Sequence, residues 1–289
     1  MLNAIKSNIS SVLQKLTIAV NPNIYKKKYL KQYINLSWKN YNEDKVEFEM
    51  LLVPYFLKRD SVFFDVGSNI GAFVLIANKV INQENIFAFE PIPMLNKRLK
   101  LIFPHANVKN IALSNSKIIT QFKIPKINHT QFLTRGTLNT KFVETNESGF
   151  DILNVQTNTL DNFCVEEKIE KIDVIKIDVE GHEHEVIKGA LTTFKNYKPI
   201  LIIEIEQRHH KEDISSIINE IKNINYTCFY FDSNCFEITE LNIDAKSLQQ
   251  KNDFEKSRKY VHNFIFIPSD KIKEGVIAKI NQQISIDRN

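Results

Sequence analysis

The sequence predicts an α/β fold: a mostly parallel sheet with helices on both faces and an antiparallel last strand. Three observations carry this. Apolar, strand-like runs alternate with segments of helical period along most of the chain, the rhythm of βαβ units. At residues 63–73, FFDVGSNIGAF, an apolar run ends in an aspartate and two glycines bracket a turn. Apolar residues then resume at helical spacing. The chain has 289 residues, 43% hydrophobic and 25% charged, enough for one large domain with a sizeable core.

The elements follow in order. Ile5, Ile9, Val12, Leu13 and Leu16 fall on one helical face. The favoured expectation is a helix packed on the body. The alternative is a weak membrane-surface association through residues 1–31, helped by Lys26, Lys27, Lys28 and Lys31. Polar residues interrupt this segment, so it has no signal-peptide core. Residues 45–57 read as a helix that Pro54 bends or interrupts. Strand 61–66 and helix 70–80 come next. Strand 85–90 follows, then a helix carrying Leu95, Leu99, Ile102 and Phe103, then strand 107–112. Residues 114–160 are too long for a plain connection and read as an antiparallel excursion over the ligand side of the sheet. Strand 172–179, helix 183–195, strand 199–206, helix 212–224 and strand 226–231 restore the rhythm. The last strand is 261–267. The expected organisation is a helical extension at 1–43, the α/β domain at 44–268, and a C-terminal helix or tail at 269–289.

Composition narrows the function. A net charge of +4, with no concentrated basic run, gives no reason to expect nucleic acid. Cys164, Cys228 and Cys235 form neither a disulfide framework nor a zinc pattern, which fits a reducing, cytoplasmic setting. No stretch reaches the ~18 apolar residues of a membrane span.

The chemistry-bearing motifs lie where strands end, the edge at which sheets of this kind bind ligands. In the loop after the first strand, Gly67 and Gly71 permit a sharp turn, and the helix start offers N–H groups to a ligand. A dinucleotide fingerprint laid from Gly67 wants glycine at 69, where this chain has Asn69. The plain alternative is turn chemistry alone. Strand 85–90 ends in Glu90, placed to accept hydrogen bonds from ribose hydroxyls, and Pro91 and Pro93 fix the backbone after it. Loop and acid together indicate an adenosine-type ligand. In KIDVEGHEHEVIKGA (176–190), Lys176, Asp178 and Glu180 share one side of a strand by period two. Lys176, within an apolar strand, needs a partner among Asp65, Glu204 and Glu206.

These pieces resemble the FkbM-type methyltransferases, a branch of the class I S-adenosylmethionine-dependent enzymes. FFDVGSNIGAF, FAFEPIP, NIALSN, TLDNF, KIDVEGHEHEVIKGA, ILIIEIEQRHH and NFIFI occur in the family's order over roughly residues 44–267. The family usually has alanine where this chain has Ser68. The resemblance implies a Rossmann-like class I sheet and an O-methyltransferase acting on a hydroxyl of a sugar, glycan or other small molecule. It implies S-adenosylmethionine as cofactor, held by Asp65, Gly67, Ser68, Asn69, Gly71, Glu90, Pro91 and Asp178. His182 is the expected catalytic base, with Asp178 the runner-up and His209 and His210 third; the alternative for His182 is a helix cap. No metal is expected. Two rivals remain. A nucleotide-dependent oxidoreductase requires glycine at 69. A non-catalytic adenosine-binding protein would lack the acidic and histidine groups at the strand ends, which this chain has. The segment 128–140 is expected beside the cofactor pocket, its polar His129, Thr130, Gln131, Arg135 and Asn139 contributing to acceptor choice; the alternative is an exposed loop with no role.

Overall fold

A computed structural model of the chain describes residues 22–41, 46–249, 260–272 and 275–289. The helical face at 5–16, and the proposed membrane-surface segment up to residue 21, lie outside the described residues; its lysines at 26–31 fall in and just after the first described helix. Helices α1 (Pro22–Tyr29), α2 (Lys31–Ile34) and α3 (Phe48–Phe56) precede the first strand, β1 (Phe63–Val66). Then come α4 (Ala72–Ala77), β2 (Ile86–Phe89), α5 (Pro93–Ile102), β3 (Asn107–Lys109) and β4 (Ala112–Leu113). The excursion holds β5 (Ile119–Ile127), β6 (Thr130–Gln131) and β7 (Glu147–Asn158). After it run α6 (Leu160–Glu166), β8 (Val174–Ile177), α7 (Glu183–Lys188), α8 (Leu191–Tyr197), β9 (Ile200–Glu204) and α9 (Ser215–Lys222). The chain closes with β10 (Tyr226–Asp232), β11 (Glu237–Glu240), β12 (Asn263–Pro268), α10 (Ser269–Ile272) and α11 (Val276–Arg288).

The main sheet is Rossmann-like, in the order β11-β10-β12-β9-β8-β1-β2-β3. Strands β3, β2, β1, β8 and β9 run parallel. The last strand, β12, is antiparallel to both β9 and β10, as expected. Strand β11, which the sequence reading did not include, adds an antiparallel edge through a hairpin from β10. Strand order reverses between β1 and β8, and a crevice opens there at the carboxyl ends.

The predicted strand 107–112 divides. Asn107–Lys109 stays in the main sheet, while Ala112–Leu113 joins a second sheet of order β4-β7-β5-β6. There β5 and β7 pair antiparallel from Ile119–Gln156 to Ile127–Glu147, with a shift at Lys126. Phe122, Ile124 and Val155 bury against Ile92, Leu95 and Ala112, so the excursion is clamped onto the loop after β2. The predicted helix 183–195 is two helices. The chain breaks at Gly189, where a Cβ would stand 2.1 Å from the carbonyl oxygen of Ser114.

The flanking segments share the main core. Leu30, Tyr33 and Trp38 before β1, and Ile280 and Ile284 in α11, belong to the same buried cluster as Phe63 and Ile86. Burying each such isoleucine contributes about 1.5–3 kcal/mol. Tyr55 also donates a hydrogen bond to Asp287 at 2.5 Å, tying α3 to α11. Lys26, placed by its sequence on a basic surface, stands 4.9 Å from the ring centre of Phe103.

Candidate active site

Four stretches build the site: the loops after β1, β2 and β8, and the inner face of the excursion. They enclose an open cleft with about 600 Å³ of space, counting the part shared with solvent. Gly67, Asn69, Glu90, Pro91, Asp178 and His182 line it, all six predicted for the site. Three other predicted residues stand behind this lining. Ser68 is buried, and its hydroxyl donates to the Asp65 carbonyl at 2.8 Å. Asp65 is 2% exposed at the end of β1. Gly71 faces the side chains of Leu99 and Phe103.

The loop after β1 works differently from a phosphate cradle. Gly67 has φ +87°, and a Cβ there would stand 1.8 Å from the carbonyl oxygen of Asp178. Glycine is therefore required by the approach of the β8 loop. The N–H groups of Gly67 and Ser68 both donate to the Phe89 carbonyl at 3.0 Å. The Asn69 N–H donates to Glu90 Oε2 at 2.8 Å. All three are spent within the protein, so no row of free N–H groups awaits a pyrophosphate.

Glu90 joins two loops. Its Oε1 accepts from the Ile92 N–H at 2.8 Å, while Oε2 takes Asn69. Burial raises its carboxyl to about 7, against the pull of those two N–H groups. Each carboxylate oxygen keeps acceptor capacity beyond one bond. Asn69 Oδ1 and Asp65 Oδ2 are buried and have no hydrogen bond, two further acceptors in need of a donor. Apolar Ile92, Ala112, Leu113, Phe122, Leu133 and Leu138 complete the wall. A cleft of this kind fits a nucleoside with a cationic amine: Glu90 for ribose hydroxyls, the apolar wall for a base, and unsatisfied acceptors for the amine.

Asp178 follows β8 directly. Its carboxyl is raised to about 6 by burial, with the Lys176 ammonium 3.7 Å away pulling it down. The sequence reading missed how Lys176 is satisfied. Lys176 is fully buried, and its Nζ donates to Asn263 Oδ1 at 2.6 Å. Asn263 pairs with Glu204 across β12 and β9, so the amine reaches past β9 to the last strand. Its ion pair is with Asp178, not one of the three predicted carboxylates, although Asp65 and Glu204 both feel its charge.

His182 occupies the N-cap position of α7 but makes no capping bond. Its Nε2 shares a hydrogen bond of 2.9 Å with Ser114 Oγ. Burial lowers its pKa and keeps the ring neutral near pH 7. His209 and His210 stand outside the cleft lining. Glu180 lines the cleft but does not share the strand face of Lys176: β8 ends at Ile177, and Glu180 sits in a left-handed turn at φ +53°.

The excursion meets the cleft with different residues from those expected. Leu133, Thr134, Gly136 and Leu138 line it. Of the polar residues, Arg135 is bound to Glu144 at 2.7 Å and Gln131 donates to Asp151 at 3.0 Å.

Residues 65–228 match the model of the methyltransferase FkbM domain. The chain is 30% identical over 169 residues to the hexuronic acid methyltransferase AglP of Haloferax volcanii, covering 57% of this chain and 64% of that protein. It is 26% identical over 145 residues to methyltransferase 1 of Beauveria bassiana, covering 45% and 58%. The match thus spans less than two thirds of either relative. Among solved structures, methyltransferase FkbM from Methylobacillus flagellatus KT aligns with a TM-score of 0.44 at 12% identity, over 86% of this chain and 50% of that one. Precorrin-6y C5,15-methyltransferase from Geobacter metallireducens aligns with a TM-score of 0.36 at 11% identity, over 80% and 100%. With the family model matching more than half its length, the chain belongs to the methyltransferase FkbM-domain family.

Proposed function

We propose that the protein is an S-adenosylmethionine-dependent O-methyltransferase acting on a hydroxyl of a sugar, glycan or secondary metabolite. The observation that carries this reading is Glu90: a buried carboxylate at the end of β2, pinned by two N–H groups and open to the cleft. Family membership supports it, and the hexuronic acid methyltransferase relative makes an acidic sugar the first acceptor to try. Asn69 at the fingerprint position and the spent loop N–H groups weigh against a dinucleotide oxidoreductase. No helix among the described residues is long and apolar enough to cross a membrane.

When bound, S-adenosylmethionine supplies an electrophilic methyl group. Glu90 would accept hydrogen bonds from the ribose hydroxyls, and Asn69 Oδ1 on the cleft wall would accept from the amine. The apolar wall excludes water beside them. The protein holds the acceptor oxygen in line, and such positioning supplies much of the acceleration. The hydroxyl proton passes to a base on the cleft wall. His182 Nε2 and the Asp178 carboxylate are the two candidates, each able to be unprotonated near pH 7. The test is incubation with methyl-labelled S-adenosylmethionine and a panel of glycan precursors that includes hexuronic acids. Mass spectrometry should find a product one methyl group heavier. Cofactor-dependent oxidation of the panel with no methylated product would reject the reading.

A further inference from the structure

At the edge of the cleft, with Glu180 on its wall, stands a group of side chains to which the proposed mechanism gives no step. Glu144 precedes β7, Glu180 lies in the turn after β8, and His209 closes the short turn after β9. Each offers one ligand atom, and these atoms all lie within 4.8 Å of one another. Two polar atoms here have no hydrogen bond, although they are buried: His209 Nε2 and Glu180 Oε2. The His209 residue is 7% exposed, with its ring set edge-on against Phe142 at 4.6 Å between centres. Its Nε2 stands 4.0 Å from Glu180 Oε2. That is too long for a hydrogen bond. It is somewhat wider than the roughly 3–3.4 Å between neighbouring ligands about 2.1 Å from one ion, a gap that a bound ion closes by drawing the two donors in.

The neighbouring charges leave room for a cation. Arg208 lies 3.1 Å from Glu144, 2.8 Å from Glu206 and 3.7 Å from Glu180, and Arg135 lies 2.7 Å from Glu144. Two guanidiniums thus face three carboxylates, one of which, Glu206, is also paired with His262. Glu144 and Glu206 take hydrogen bonds from them, while Glu180 Oε2 takes none. Carboxylate oxygens have several acceptor sites, so Glu144 can serve an arginine and an ion together. Two adjoining groups of the same kind, Glu47 with Asp178 and Glu204, and Glu204 with Glu206 and His262, are already partnered. Lys176 already faces Asp178 at 3.7 Å in one, and His262 faces Glu206 at 3.3 Å in the other.

We propose that Glu144, Glu180 and His209 form a divalent-cation site of two carboxylates and one imidazole. The mixed donor set suits a first-row ion such as Mn²⁺ or Zn²⁺ better than the all-oxygen preference of Ca²⁺ or Mg²⁺. The ion ties the excursion to the ends of β8 and β9 at the cleft edge. The site stands on its own geometry and does not depend on which reaction the cleft performs. The test is titration of chelator-treated full-length protein with Mn²⁺, with free Mn²⁺ followed by paramagnetic resonance. One saturable site per chain is expected, weakened about tenfold or more by Glu180→Gln and by His209→Ala. Circular dichroism checks the fold; if His209→Ala does not fold, Glu180→Gln and Glu144→Gln carry the comparison. Absence of saturable binding by the parent protein overturns the proposal, as does unchanged binding in the folded variants.

Discussion

Glu90 does two things with one carboxylate. It accepts an N–H from each of two loops, and it presents its remaining lone pairs to the cleft. Its raised carboxyl, about 7, makes cofactor affinity sensitive to pH. In the proposed complex ribose hydroxyls would donate to the ionised form, so bound cofactor should lower the carboxyl below its free value. Affinity should be full above about pH 7 and fall as pH drops below it, by up to about tenfold per unit. Calorimetry with S-adenosylhomocysteine at about pH 6 and about pH 8 measures this, and Glu90→Gln should flatten the difference. An equal fall in the variant would assign the titration to another group. The base is a second question at this scale. His182→Gln and Asp178→Asn should be compared in single-turnover transfer, with cofactor affinity checked in parallel. Loss of a general base costs about 10²–10⁴ in rate. The variant with the large loss names the base, and full activity in both would leave positioning alone to account for catalysis.

At the level of elements, β8 is held by its lysine. Lys176 stands fully buried among Asp178, Glu204, Glu47 and Glu49, and those charges raise its pKa despite burial. Lys176→Met should remove the fully buried cation among them and destabilise the fold by about 3–5 kcal/mol. A denaturant midpoint close to the parent's would show that the cluster protonates without cost. The excursion is an element with its own apolar core, and Leu133 and Leu138 pack on the cluster that contains Ile92 and Ala112. Deleting residues 128–139 should therefore weaken cofactor binding as well as transfer. Leu138→Ala should lower cofactor affinity by about 1–2 kcal/mol of lost apolar contact. Unchanged affinity would confine the segment to the acceptor. Two element boundaries were hidden from the sequence for one reason. Helical period runs unbroken through Gly189, and strand pattern runs unbroken from Asn107 to Ala112. What divides them is contact with distant chain, the Ser114 backbone in one case and β7 in the other.

Across the whole molecule, the fold was largely legible because buried strands and helix faces write their periods into the sequence. Site residues at the mouths of strands, such as Asn69, Glu90 and Asp178, were legible for the same reason: their place follows from where a strand stops. Partners brought from far along the chain were not, as Asn263 on Lys176 and Ser114 on His182 show. Nor was the inward turn of Ser68, which depends on a hydrogen bond to Asp65 rather than on residue type. Both flanks feed the central core, so the site rests on one cooperative body that ligands should stabilise by mass action. The proposed function requires that the Glu90 cleft hold an S-adenosyl cofactor. It is tested most directly by calorimetric titration of the protein and of Glu90→Ala with S-adenosylhomocysteine, and of the protein with NAD. The account predicts one site for S-adenosylhomocysteine, at least about tenfold weaker in Glu90→Ala from the loss of charge-assisted hydrogen bonds, and no comparable binding of NAD. Binding of NAD in place of S-adenosylhomocysteine, or an affinity untouched by Glu90→Ala, would contradict it.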